Sequence, residues 1–231
     1  APHDIQKVMR SFETLYKEAM KHLVLNKKRR AIDKYFVLSI VFSFLLLVAS
    51  LIINFYAGQY ALKAASNPVT DIVLSNIPVF NVHLAFVYGP VLFWILVLGL
   101  CVSKPRRIPL VLKSVVLLML VRSVFITLTH IGPFPERMTV EFSYFSSFMT
   151  FGSDLFFSGH TAYPFLMSLI FWENKALRIL FIAFSLFFAV VVLLAHVHYT
   201  IDVVAAFFIT HSIYHLYRKL FVKECKDFEV Y

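Results

Sequence analysis

The chain has 231 residues, of which 60% are hydrophobic and 15% are charged. Soluble domains are about 45–50% apolar and about one-quarter charged, so this composition excludes an ordinary soluble domain and predicts a chain largely embedded in a membrane. The net charge of +9 would suit nucleic-acid binding in a soluble protein. Here the basic residues form short clusters between apolar runs, which is typical of membrane topology, and we expect no nucleic-acid partner. The clusters are Lys27–Arg30, Lys104–Arg107, Lys175 with Arg178, and Arg218–Lys219 with Lys223 and Lys226.

Residues 1–34 are predicted to form a cytosolic region, with an amphipathic helix followed by a basic linker. Apolar side chains recur at helical spacing over residues 4–26, from Ile5 to Leu23. Two placements are equally consistent with this pattern: a helix lying along an anionic leaflet, or a helix packed on the protein's own cytosolic face. The segment lacks the continuous apolar core and cleavage site of a signal peptide.

Six apolar spans follow, and the predicted fold class is all-α integral membrane, with six transmembrane helices after the interfacial helix. We place the spans at 35–57, 79–102, 108–129, 159–172, 176–195 and 199–217. A span needs about 20 apolar residues, and the fourth is short by that count unless Phe156 and Phe157 extend it backward. The catalytic membrane domain is therefore expected at 35–217, and a cytosolic tail at 218–231.

The basic clusters predict the orientation of these spans. An even number of spans places both termini on one side, and all four clusters then fall on the same face. By the positive-inside rule that face is cytoplasmic. The loops at 58–78 and 130–158 are expected on the opposite, extracytoplasmic or luminal face.

Polar residues from three spans are predicted to meet near this outer face. Arg122 lies near the outer end of the third span, Ser158, Gly159 and His160 begin the fourth, and His198 and Asp202 begin the sixth. Ionisable groups in membrane segments are costly and indicate function by default. Taken singly, each has a structural explanation: a snorkelling arginine, a helix cap, and a hydrogen-bonded His–Asp pair. Their convergence on one face favours a shared site.

The residue types suit phosphoryl transfer without a metal or cofactor. Arg122 is a permanent cation that pairs with phosphate oxygens. Ser158 can cap the fourth span, whose N-terminus favours an anion, and Gly159 allows close approach of the backbone.

Two histidines supply the reactive groups. Asp202 follows His198 by four residues, so on a helix its carboxylate can orient that imidazole as a nucleophile. His160 remains to protonate a leaving oxygen.

Two stretches of the sequence resemble a known family. "GSDLFFSGHTA" (residues 152–162) and "HYTIDVVAA" (residues 198–206) are similar to motifs of the sphingomyelin synthase-related branch of the type 2 phosphatidate phosphatase superfamily. Asp154 stands four residues before Ser158, as in that branch, and we place it with the phosphate-binding residues. "PVTDIVLSNIP" (residues 68–78) and "VRSVFITLT" around Arg122 are looser matches, so the resemblance covers roughly residues 65–215.

The resemblance implies a six-helix enzyme whose site faces away from the cytoplasm. His198 would form a phosphohistidine with a phospholipid substrate, Asp202 would orient it, and His160 would assist the leaving group. The acceptor would be a lipid alcohol, such as ceramide or diacylglycerol, in a synthase, and water in a phosphatase or a phospholipase C-type hydrolase. The wording of the motifs favours transfer. Lys113 is nine residues before Arg122, out of step with the Lys–Arg pair of the phosphatases, and is not counted as a site residue.

Several alternatives stay open. "HVH" at 196–198 and the pair His211 and His215 each offer a less favoured metal site. A serine hydrolase lacks its G-x-S-x-G elbow around Ser158. A transporter or a membrane scaffold is the non-enzyme alternative, although the sequence shows no inverted repeat. The oligomeric state is not indicated.

Overall fold

A computed structural model describes residues 34–138 and 156–222. The predicted interfacial helix at 4–26, Asp154 and the end of the tail lie outside the described residues. The described residues divide between two units, with the boundary between Phe42 and Ser43. The second unit contains every candidate site residue that the structure describes.

The described part of the chain is helical and contains no strand, which confirms the all-α membrane class. In residues 34–138 and 156–222, six α-helices appear where the six spans were predicted, with short 3-10 helices at Leu74–Asn76 and Pro105–Arg107. The α-helices are α1 (Lys34–Ala64), α2 (His83–Ser103), α3 (Ile108–Leu128), α4 (Gly159–Ile170), α5 (Lys175–Leu194) and α6 (Thr200–Leu220).

Four of these helices are long and apolar enough to cross a membrane: α1, α2, α5, and α3 taken together with the 3-10 helix before it. Helix α4 has 12 residues, about 18 Å at 1.5 Å per residue, against a hydrocarbon core of about 30 Å. Helix α6 has 21 residues but is more polar than these four helices. It carries Asp202 in its first turn and Arg218 and Lys219 in its last turn. Four spans are therefore supported, and the count of six stays a prediction.

The expected backward extension of the fourth span is wrong. Helix α4 begins at Gly159, and Phe157 has a φ angle of 64°, in the left-handed region that stops a helix before that residue. The Phe157 side chain is fully buried in the main apolar cluster. The two phenylalanines therefore act as core and turn residues.

Helix α4 lies at the centre of the second unit and packs against α5 and α6. Its buried side chains, such as Leu166 and Met167, join Phe93, Phe181 and Tyr217 in the main cluster. By contrast, α2 and α5 leave many large apolar side chains exposed, as expected of surfaces that face lipid. The core thus forms around the short helix that begins at the candidate site.

Three connecting segments form one assembly, which we call the loop clasp: residues 65–82, 129–138 and 195–199. Backbone hydrogen bonds join them to each other and to the end of α5. These run from Ser66 N to His130 O (2.7 Å), Gly132 N to Asn67 O (3.2 Å), Phe80 N to Leu194 O (2.9 Å) and Met138 N to Ala195 O (2.9 Å). The two predicted outer loops and the turn before α6 therefore lie at the same end of the helices.

Basic residues lie at the opposite end. The Arg107 guanidinium stacks 5.2 Å from the ring centroid of Phe171, between α4 and α5. The Lys113 ammonium lies 5.2 Å from the ring centroid of Phe221, just after α6. Lys113, a residue of α3, therefore lies near the end of α6 that is farthest from His198.

Gly132 tests the loop clasp. A Cβ atom at this position would lie 2.2 Å from the backbone oxygen of Ser66, so Gly132→Ala must separate two backbone segments. We expect a loss of about 1–3 kcal/mol in stability, seen as a lower midpoint of thermal unfolding in detergent. Gly99→Ala is the matched control, because nothing lies within 4 Å of its added Cβ. Equal midpoints for the two variants would contradict the close approach.

Candidate functional site

His198 and Asp202 form the predicted pair at the start of α6. The His198 Nδ1 atom lies 3.4 Å from Asp202 Oδ2, and each side chain is at most 1% exposed. An ionised carboxylate only accepts hydrogen bonds, so Nδ1 is the donor when it faces Asp202. The pair therefore leaves the imidazole lone pair on Nε2.

Asp202 also fixes the backbone around the histidine. Its Oδ2 accepts a hydrogen bond from the backbone N–H of Tyr199, the residue just before α6, at 2.9 Å. One carboxylate thus stabilises the helix start and orients the His198 ring.

The start of α4 is hydrogen-bonded directly to this turn. The backbone N–H of Ser158 donates to the backbone oxygen of Asp202 at 3.3 Å. Residues that are 44 positions apart in sequence are thereby held at one level. The two sequence motifs therefore meet at one place in the fold.

Arg122 of α3 is buried beside the same helix start. Its Nε donates to the backbone oxygen of Phe157 at 3.1 Å, and its Nη1 donates to Asn54 Oδ1 at 3.3 Å. A Cβ atom added to Gly159 would lie 3.6 Å from Arg122 Nε, an ordinary van der Waals distance. The guanidinium therefore lies against the first residue of α4, and the close packing there tolerates a methyl group.

Ser158 occupies the N-cap position of α4, but its side chain caps no backbone N–H. Its hydroxyl is completely buried and accepts a hydrogen bond from the Thr161 hydroxyl at 3.3 Å. The capping role expected of Ser158 is therefore not what its side chain performs. The N–H groups of Gly159 and Thr161 lie in the first turn, where a helix has donors and positive potential to offer an anion.

The His160 imidazole is held between aromatic rings of two other helices. It stacks on Phe86 of α2, with ring centroids 4.5 Å apart and planes 25° apart, and it meets the Phe188 ring of α5 edge-on at 6.1 Å. The side chain remains partly exposed. These contacts fix the orientation of the ring while leaving part of it accessible.

Sequence reasoning missed three residues that support the site. Asn54 of α1 is buried and bonds both Arg122 and Ser123, while Asp71 and Tyr199 connect the loop clasp to α6. A lone amide in an apolar span was a readable signal for Asn54. The partners of Asp71 are 129 positions away, and no local pattern indicates them.

The remaining histidines lie elsewhere. His196 has a φ angle of 54°, and its Nδ1 lies 2.8 Å from the backbone oxygen of Glu136. His211 and His215 are exposed toward the other end of α6, with their Nε2 atoms 3.2 Å apart. Within residues 34–138 and 156–222, no group of three or more metal-binding side chains comes together. The metal-free mechanism stays a prediction.

One comparison with known proteins gave a match over the part of the chain that contains α4 to α6. Residues 152–219 match the sequence model of a family described as PAP2 superfamily C-terminal, which takes in α4, α5 and nearly all of α6. The match supports placement in the type 2 phosphatidate phosphatase superfamily, whose members are lipid phosphatases and phosphotransferases. Arg122 lies outside the matched residues. The comparisons with curated proteins and with solved structures gave no significant match.

Asn54 tests the support of Arg122. Asn54→Leu removes the amide oxygen that accepts from Arg122 Nη1 and from Ser123 Oγ. Loss of an acceptor for a buried charged donor costs about 1–3 kcal/mol, so we expect a clearly lower midpoint of thermal unfolding in detergent.

Ser123→Ala is the matched control for Asn54→Leu. It removes a neutral hydroxyl whose single proton is shared between the same amide oxygen at 3.2 Å and the Met119 backbone oxygen at 2.8 Å. Its effect should be the smaller one. A greater loss in Ser123→Ala than in Asn54→Leu would contradict the assigned role of Asn54.

Proposed function

We propose that the protein is a membrane lipid phosphotransferase that moves a phospho-headgroup from a phospholipid to a lipid alcohol through a phosphohistidine at His198. The observation that carries this proposal is the hydrogen bond between Ser158 N and Asp202 O, which brings the start of α4 to the His198–Asp202 pair. Arg122 lies against that same start. A cation, helix N–H groups and an oriented imidazole are the components that transfer of a phosphoryl group requires.

His198 is the proposed nucleophile because of its neighbour. With Nδ1 donating toward Asp202, Nε2 presents its lone pair and the carboxylate stabilises the positive charge that develops on the ring. Asp202 is held independently through its bond to Tyr199 N, so the ring is oriented before substrate arrives. Such preorganisation lowers the barrier without a cost at the moment of reaction.

The first step forms one bond and breaks one. The Nε2 lone pair of His198 attacks phosphorus, and the bond between phosphorus and the lipid oxygen breaks. Protonated His160 gives its proton to that departing oxygen, so diacylglycerol leaves as a neutral alcohol when a glycerophospholipid is the donor. Arg122, with the Gly159 and Thr161 N–H groups at the start of α4, offsets the charge on the phosphoryl oxygens.

The second step reverses these roles. A hydroxyl oxygen of the acceptor attacks phosphorus, its proton passes to His160, and the bond between phosphorus and His198 Nε2 breaks. The resemblance to the sphingomyelin synthase-related motifs favours a lipid alcohol, ceramide or diacylglycerol, as the acceptor. Water as the acceptor gives a lipid phosphate phosphatase or a phospholipase C-type hydrolase, and the superfamily match supports that alternative equally.

The distribution of charge supports the proposed orientation. The loop clasp and the site lie at one end of the helices, and the clusters at Lys104–Arg107 and Lys175–Arg178 lie at the other. Basic residues favour the cytoplasmic side. We therefore assign the site to the extracytoplasmic or luminal leaflet and the termini to the cytoplasm.

Replacement of His198 tests the proposed nucleophile. His198→Ala should reduce turnover of headgroup-labelled phosphatidylcholine, phosphatidylethanolamine and phosphatidate, assayed with ceramide or diacylglycerol, by at least about 1,000-fold, since loss of a nucleophile removes the covalent route. The matched control is His211→Ala, which removes an exposed histidine from the other end of α6. Turnover by His198→Ala at the rate of His211→Ala would overturn the assignment of His198 as the nucleophile. Absence of turnover in the native protein with every donor and acceptor would favour a transporter or scaffold.

The same assay separates the two acceptors. A synthase gives labelled product lipid only when ceramide or diacylglycerol is present. Release of water-soluble phosphate or phospho-headgroup at the same rate without either alcohol would replace transfer by hydrolysis.

A further inference from the structure

The carboxylate of Asp71 holds the first residue of α6. It lies in the clasp loop at residues 65–82 and is nearly buried. It accepts four hydrogen bonds: Oδ2 from Thr200 N (2.7 Å), and Oδ1 from Thr200 Oγ1 (2.8 Å), Val73 N (2.9 Å) and Leu74 N (3.1 Å). Two of its bonds therefore shape its own loop, and two reach the start of another helix.

Thr200 stands midway between the two members of the candidate pair, two residues after His198 and two before Asp202. Burial raises the pKa of the Asp71 carboxyl, but the hydrogen bonds from Thr200, Leu74 and Val73 outweigh it and hold the pKa below its ordinary value. Asp71 is therefore an anion at neutral pH. An anion at the N-terminus of a helix is stabilised by the helix dipole.

Tyr199 gives the same turn a second attachment, to the clasp segments 65–82 and 129–138. Its hydroxyl donates to the backbone oxygen of Gly132 at 2.8 Å and accepts from the backbone N–H of Val69 at 3.2 Å. Two consecutive residues after His198 are thus held from outside α6. Asp202 holds the turn only from within the helix, through Tyr199 N.

We propose that Asp71 is a positioning residue for His198: by fixing Thr200, it keeps the turn where His198 Nδ1 faces Asp202. The Nδ1–Oδ2 distance of 3.4 Å is already long for a hydrogen bond. A small shift of the turn would therefore break the contact that sets the tautomer of the ring. The effect on turnover rests on the proposed function, whereas the effect on the ring does not.

The decisive variant is Asp71→Asn. The remaining side-chain oxygen can still accept from Val73 N and Leu74 N, so the local turn is kept. The amide nitrogen cannot accept from Thr200 N, which loses its partner and is opposed by another donor. The substitution therefore weakens the attachment of α6, leaving only the bond from Thr200 Oγ1, with little change to the loop itself.

The first measurement reads the His198 ring without any substrate. The protein is labelled with ¹⁵N-histidine in detergent, and His198 is identified among the nine histidines by the loss of its signals in His198→Ala. The native protein should show one tautomer, with the proton on Nδ1. In Asp71→Asn the two nitrogen shifts should move toward each other, because both tautomers become populated. Unchanged His198 shifts in Asp71→Asn would overturn the proposal.

The second measurement is kinetic. Asp71→Asn should lower kcat for the headgroup-labelled phospholipids about 10- to 100-fold and leave KM nearly unchanged, since Asp71 does not touch substrate. Thr200→Ser should keep most of the activity because it keeps the hydroxyl that donates to Asp71, and Thr200→Val should lose part of it.

Asn76→Ala is the control within the same loop, since the Asn76 side chain bonds Ile72 O at 2.7 Å and not α6. An equal loss of kcat in Asn76→Ala would reduce Asp71 to a general loop-stabilising role and overturn the proposal. Full activity in His198→Ala would instead refute the proposed function, and the ring measurement would still decide the role of Asp71.

Discussion

The hydrogen bond between the Ser158 N–H and the Asp202 carbonyl determines how the rest of the site is assembled. The donor lies just before α4 and the acceptor lies in the first turn of α6, so the N-termini of the two helices converge at one level. Two such helix ends direct positive potential at a common space. The anionic side chains Asp202 and Asp71 occupy the α6 end. At the start of α4 lie the N–H groups of Gly159 and Thr161, with Arg122 of α3 beside them. The start of α6 thereby orients the His198 imidazole, and the start of α4 presents donors that suit an anion.

The cost of placing Arg122 within the helices explains several neighbouring features. A buried guanidinium in a membrane protein requires acceptors for its donors. The left-handed backbone at Phe157 turns a carbonyl toward Arg122 Nε, and the amide of Asn54 meets Nη1. A non-glycine residue in that conformation costs about 1–3 kcal/mol and persists only where its surroundings require it. Here the requirement is the short helix α4, which must begin beside Arg122 instead of one turn earlier.

Many of the candidate site residues could be predicted from the sequence, because polar residues stand out in apolar membrane segments. Five of the predicted residues are polar side chains in apolar surroundings: Arg122, Ser158, His160, His198 and Asp202. The structure brings the starts of α4 and α6 together with the outer part of α3. Helix ends were less predictable, since hydropathy alone does not reveal a left-handed residue such as Phe157. Asp71 and Asn54 act through partners 129 and 68 positions away. Such partners follow from packing, for which the local sequence carries no period or motif. The position of Ser158 predicts a helix cap, but its hydroxyl accepts a hydrogen bond from the Thr161 hydroxyl instead.

The central claim is that His198 carries the phospho-group between donor and acceptor, and trapping the intermediate tests it most directly. The protein in detergent is mixed with a phospholipid radiolabelled at phosphorus, quenched in alkali within one turnover, and digested for mass spectrometry. A phosphohistidine is stable to alkali and labile to acid, because the bond between phosphorus and the imidazole breaks when the ring is protonated. The account predicts an alkali-stable, acid-labile label on the peptide containing His198, which disappears in His198→Ala and when excess acceptor is added before the quench. Label on Ser158, or turnover by His198→Ala at the native rate, would contradict it.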